Sequence, residues 1–265
     1  MADQALLEAR VEGGVAHLTL NRPEQRNALS ASLAAQLEAA LRRADADPGV
    51  RAILLSGRGP SFCAGADIAE FAALPTADGA ELHRLGTASN GLFRLGAELR
   101  TPLVVAVHGH AMGGGVGLVA MGHLALAADD AVFALSEIKV GLFPFAIFPS
   151  VARALGSRRA LAWALRGETW TAGEARQAGL VHQVVPAAEL PGAAEQVARE
   201  LAGRNPVAVA GGLQAYHAVA EMPYAQAIDY FTLLRGVTYQ SEDFRQGVAA
   251  FLRRRSPARQ EGDRR

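Results

Sequence analysis

Two short stretches of this chain are built largely from small residues, and each follows an apolar run: residues 61–67 (SFCAGAD) and 109–117 (GHAMGGGVG). Small residues let a main-chain N–H approach another group closely. At a helix start the N–H groups also carry partial positive charge, so the amides around Ala64, Gly65 and Ala66, and those of Gly113 to Gly115, could face a developing negative oxygen. An oxyanion hole made from two distant chain segments needs such a pair. Glu137 adds a carboxylate: it follows the run AVFALS and precedes the apolar segment 138–144, surroundings that would raise its pKa toward general acid–base use. Blander readings stand beside these, since either loop could be a tight strand-to-helix turn and Glu137 an exposed loop residue.

Other chemistries find less support. Gly115, Gly117 and Ala120 match the looser dinucleotide fingerprint G-x-G-x-x-A, but they begin eight residues beyond Val107, where the preceding strand ends. The seven histidines show no H-E-x-x-H spacing, so no metal site is expected. There is no G-x-S-x-G elbow for a serine hydrolase. Cys63 reads as a small buried hydrophobe before a nucleophile, and His108 and His110 as near-core histidines flanking the Gly-rich turn. The stretch 249–257 carries Phe251 and three consecutive arginines, a solvated helix end or an anion contact.

The elements that must position these groups follow from pattern. Leu7, Ala9 and Val11 alternate, Gly13-Gly14 turns, and 15–20 returns as a hairpin. Ser30 caps a helix with Leu33, Leu37 and Leu41 on one stripe. Residues 50–56 and 102–107 read as buried strands. Asp67 and Glu70 signal a helix start after the first loop, a longer helix covers about 79–99, and another begins near Gly114. Short strands are expected at 124–127, 132–135 and 181–185. Thr171 opens a T-x-x-E cap, and everything from about Ala187 reads as helical. The fold class is therefore α/β, with a core over 1–186 and a helical region over 187–265. The final residues 256–265 are polar and expected to fray.

Composition bounds the rest. With 265 residues, half of them apolar, and 26 basic against 26 acidic side chains, the chain can bury a sizeable core and has no net field to attract nucleic acid or a membrane surface. One cysteine excludes an internal disulfide framework and suits a reducing compartment. The start shows no signal-peptide pattern, so a cytoplasmic protein is expected. The apolar run 102–128 contains three histidines and six glycines and reads as strand, turn and helix, not a membrane span.

Six segments, in order, resemble the enoyl-CoA hydratase/isomerase (crotonase) superfamily: NRPEQRNALS, SFCAGADIAE, AVHGHAMGGGVGL, FALSEIKVGLFP, TAGEARQAGLVHQVVP and FRQGVAAFLRRRSP. The resemblance implies a spiral of ββα units with a C-terminal helical region that builds a homotrimer or dimer of trimers. It implies a CoA thioester substrate, with coenzyme A as part of the substrate and no separate cofactor. The N–H groups of Ala66 and Gly114 would hold the thioester oxygen of an enolate, and Glu137 would move the proton. Arg22, Arg26, Ala28, Ala64, Asp67, Ile68, Phe145, Phe251 and Arg255 match substrate- and CoA-binding positions.

Two positions depart from the family's hydratases. Gly117 stands where they usually carry a first glutamate, and Phe145 where they usually carry glycine. The resemblance thus implies either hydration of a 2-enoyl-CoA or a shift of the double bond. Alternatives are a hydrolase resembling 3-hydroxyisobutyryl-CoA hydrolases, which usually have aspartate at the position of Phe145, and an acyl-CoA-binding protein with impaired chemistry.

Overall fold

The computed structural model describes residues 5–71 and 78–255. Among these are nine strands: β1 (Leu7–Glu12), β2 (Val15–Leu20), β3 (Ala52–Gly57), β4 (Leu103–Val107), β5 (His110–Met112), β6 (Leu124–Ala128), β7 (Val132–Ala134), β8 (Thr169–Thr171) and β9 (Gln183–Val185). The first two form the expected antiparallel hairpin. From β2 onward the large sheet is parallel, in the order β1-β2-β3-β4-β6-β9.

Parallel strands buried on both faces read as unbroken apolar runs, which is how 52–55 and 102–107 appear in the sequence. Ile53, Leu55, Val105 and Val107 enter the main core. Ala52, Leu54, Val104 and Ala106 enter a second cluster on the opposite face. Ser30 starts α1 (Ala31–Ala46) by accepting the Leu33 N–H at 3.2 Å, and Leu33, Leu37 and Leu41 are fully buried against the sheet. Each such leucine contributes about 1.5–3 kcal/mol.

Ile68–Phe71 forms α2, as the Asp67/Glu70 signal suggests, but the two carboxylates divide their work. Asp67 Oδ1 accepts from Ala69 N at 3.1 Å, whereas Glu70 accepts from Ala31 N at 2.9 Å and so serves the start of α1. Gly79–Arg94 forms α3, continued by a 3₁₀ turn over Leu95–Ala97. The apolar run beyond it resolves into β4, β5, α4 (Gly114–Met121) and β6. No helix among the described residues is long and apolar enough to cross a membrane. Further on lie α5 (Phe148–Leu155), α6 (Ser157–Arg166) and α7 (Ala172–Ala178), the last opened by a complete capping box between Thr171 and Glu174.

Two features differ from the sequence reading. A small second sheet, β5-β7-β8, runs through the Gly-rich turn itself. The first compact unit also extends to Gly203 instead of ending at 186. The reason is α8 (Leu190–Ala202), whose Leu190, Ala194, Ala198 and Ala202 cover the second face of the sheet. The other unit, Arg204–Arg265, contains α9 (Pro206–Ala218), capped by Asn205, then α10 (Tyr224–Tyr239) and α11 (Glu242–Arg255). The tail 256–265 lies outside the described residues.

Candidate active site

The two small-residue loops are zipped together. Phe62 N donates to His108 O at 2.9 Å, Cys63 N to His110 O at 3.0 Å, and Met112 N to Cys63 O at 3.0 Å. This parallel pairing of Cys63 with Ala111 lets the chain on either side approach only if side chains are absent. Gly65 illustrates the demand: its φ is +94°, and a Cβ there would stand 2.8 Å from the Met112 carbonyl oxygen.

The amides named from the sequence become neighbours here. Leu29 N donates to Gly65 O at 2.7 Å and Asp67 N to Leu29 O at 3.1 Å, so Ala66, lying between them, turns its own N–H away from Leu29. Gly114 is the first residue of α4, where an N–H has no intrahelical acceptor. The Ala66 nitrogen lies 3.8 Å from where a Cβ would stand on Gly114, and the Gly114 nitrogen 3.7 Å from the same place on Gly65.

Glu137 reaches this corner from the small sheet. It begins a 3₁₀ turn, Glu137–Val140, just after β7. Gly113, at φ +46°, donates its N–H to Ala134 O, and a Cβ on it would stand 2.8 Å from Glu137 Oε1. The second carboxylate oxygen, Oε2, is buried and has no hydrogen-bond partner among the described residues. Burial pushes the Glu137 pKa up, against a weaker opposing effect of its own backbone N–H. A carboxyl in this setting can take and return a proton beside a carbonyl held by the two amides.

Gly117 lies on the next turn of α4. A Cβ there would be 2.4 Å from Ile147 Cγ2 and 2.8 Å from Phe93 Cε1, so hydrocarbon fills the space a longer side chain would need. The dinucleotide fingerprint falls inside α4, not at a strand end, so its glycines do not form a phosphate turn. Cys63 is fully buried, with its thiol pushed up to about 12 by desolvation, which leaves no thiolate for nucleophilic attack. His108 Nε2 lies 2.9 Å from Gly59 O, and His110 Nδ1 lies 3.3 Å from Ser61 Oγ.

Residues matched to CoA-binding positions divide into groups. Ala64 lies in the zipped loop and donates its N–H to Arg26 O. Ile68 and Phe145 are 76% and 72% exposed, open to a ligand. Arg22 instead turns inward, its guanidinium bonding Ala28 O at 2.6 Å and Asp67 at 3.1 Å. Phe251 is exposed on α11, and Arg255 is that helix's last residue. Sequence reasoning passed over Asn27, Leu29, Phe93 and Ile147. A fully buried Asn27 in the NRPEQRNALS stretch is visible only once its long-range partners are known. For Phe93 and Ile147, the signal was a glycine on a buried helix face, which demands a bulky neighbour.

A parallel sheet whose Gly-rich loops join over one half-buried carboxylate defines the crotonase architecture, and comparison with known proteins agrees. Residues 10–262 match the enoyl-CoA hydratase/isomerase family. The chain is 35% identical over 254 residues to the 1,2-epoxyphenylacetyl-CoA isomerase of Escherichia coli, covering 94% of this chain and 96% of that one. Among solved structures, the enoyl-CoA hydratase of Mycobacterium smegmatis aligns with a TM-score of 0.90 at 33% identity, covering 96% of this chain and 98% of that one. Human enoyl-CoA hydratase domain-containing protein 3 aligns with a TM-score of 0.88 at 27% identity, covering 96% and 99%. This chain belongs to the enoyl-CoA hydratase/isomerase family.

Proposed function

We propose that the protein binds an enoyl-CoA thioester and shifts its double bond through an enolate. Glu137 takes a proton from C2 of a 3-enoyl-CoA and delivers one, exchangeable with solvent while it sits on the carboxyl, to C4, giving the 2-enoyl isomer. The electron pair released at C2 delocalises onto the thioester oxygen, which accepts from the N–H groups of Ala66 and Gly114. Proton count and oxidation state are unchanged, so the step calls for no electron carrier, and coenzyme A enters as part of the substrate. One observation carries this reading: the buried, unpaired carboxylate oxygen of Glu137 beside Gly113, next to the two neighbouring amides.

Ile147 and Phe93 against Gly117 favour the double-bond shift over hydration, because a second carboxylate to hold water has no room there. Hydration is the second reading, supported by the likeness to the Mycobacterium smegmatis enoyl-CoA hydratase. The hydrolase and the impaired binder are not favoured by these relatives. Arg26, Ala28, Ala64, Ile68 and Phe145, with Phe251 and Arg255, supply the CoA and acyl contacts in this proposal. The helices α9–α11 join copies of a homotrimer or dimer of trimers, and the enzyme works in the cytoplasm.

Incubation with 2-enoyl- and 3-enoyl-CoA in deuterated water tests the reaction. The expected result is interconversion with deuterium at C2 or C4 and little 3-hydroxyacyl-CoA. Net addition of water would replace isomerisation by hydration, and absence of turnover or exchange with either substrate would overturn the enolate reading.

A further inference from the structure

We propose that Arg22 and Asp67 form a positioning device for the site's first amide. Their ion pair holds residues 65–67 against Leu29 so that the Ala66 N–H stays in register with that of Gly114. This rests on the enolate reading above. The Arg22 and Asp67 side chains are only 16% and 18% exposed, and the guanidinium bonds the Ala28 carbonyl and the Asp67 carboxylate together.

The turn beneath them is rigid. Asn27 is fully buried at φ +56°; its Oδ1 accepts the Arg22 N–H, and its Nδ2 donates to Arg58 O and Ser61 O, all at 2.8 Å. That turn delivers Leu29 to both halves of the site. The Leu29 main chain pairs with Gly65 and Asp67, and its Cδ1 lies 3.0 Å from the Cβ position of Gly114. Asp67 also follows Ala66 directly, so an unneutralised carboxylate there would oppose a negative oxygen at the Ala66 amide; Arg22 cancels that charge.

The test compares wild type, Arg22→Met and the double variant Arg22→Met/Asp67→Asn. It measures kcat and KM for a 3-enoyl-CoA, and the infrared carbonyl stretch of bound butanoyl-CoA isotope-labelled at the carbonyl. Arg22→Met is expected to lower kcat about tenfold to a hundredfold, since a displacement of ~1 Å can cost on the order of 10²-fold. KM should stay within about threefold of wild type, and the stretch should move back toward that of free thioester. The double variant leaves no unpaired buried charge, so it folds even where the single one does not. It should recover part of the lost kcat while remaining below wild type.

A raised KM with wild-type kcat would make Arg22 a CoA contact and overturn the proposal. So would wild-type kinetics and stretch in the double variant, whatever happens to its melting temperature. Wild-type protein that neither binds butanoyl-CoA nor shifts its carbonyl stretch would overturn the functional reading itself, and the positioning role with it.

Discussion

Burial sets how Glu137 responds to pH. Desolvation disfavours its anion, so it keeps its proton to higher pH than a solvated glutamate. As the proposed base it must first ionise, and kcat/KM is therefore expected to rise with pH through that raised pKa. The stability effect has the opposite sign. A carboxyl whose folded pKa is raised contributes fully below its unfolded pKa and loses that contribution as pH rises through the folded one. Glu137→Gln should lower activity about 10²–10⁴-fold. Its melting temperature should also gain on wild type as pH climbs from the ordinary carboxylate range past the Glu137 pKa. Activity within about tenfold of wild type would take Glu137 out of the mechanism, and a melting difference that stays constant at every pH would show that its pKa is not raised by folding.

At the scale of elements, the site is a junction between a sheet edge and a helix start. β5 is short because its task is to carry residues 110–112 alongside Cys63, after which Gly113 turns the chain into α4. The Gly114 amide is thus supplied by the helix end and not by any side chain, so a replacement must remove the N–H itself. Proline suits a first helical position, where its fixed φ is compatible and no helix hydrogen bond is lost. Gly114→Pro is expected to keep the fold, verified by an unchanged circular dichroism spectrum, while kcat drops about 10²–10³-fold. A folded Gly114→Pro enzyme with wild-type kcat would show that this amide touches no reacting oxygen.

For the whole molecule, the helical unit 204–265 raises a separate question. Tyr224, Leu233 and Val237 on α10 are 83%, 65% and 63% exposed, and Phe251 and Leu252 on α11 are exposed as well. Soluble monomers seldom leave so much apolar surface to water. Light scattering is expected to give three or six times the chain mass of 27.7 kDa. A stable monomer at micromolar concentration would remove the trimer from the proposal.

What could be read from the residues alone was the part governed by neighbours along the chain. The hairpin, the Ser30 cap, the Thr171 box and the two small-residue loops depend on side-chain types a few positions apart, so composition and spacing suffice for them. Glu137 stands out for the same reason, whereas the choice of the Ala66 and Gly114 amides within the two loops comes from the family resemblance. Tertiary structure alone decided what meets across the chain. It added the second small sheet, moved the unit boundary to Gly203 through the docking of α8, turned Arg22 inward onto Asp67, and placed Ile147 and Phe93 over Gly117. Each of these joins segments tens of residues apart, and close packing, which no local pattern encodes, determines which partner fills a given space.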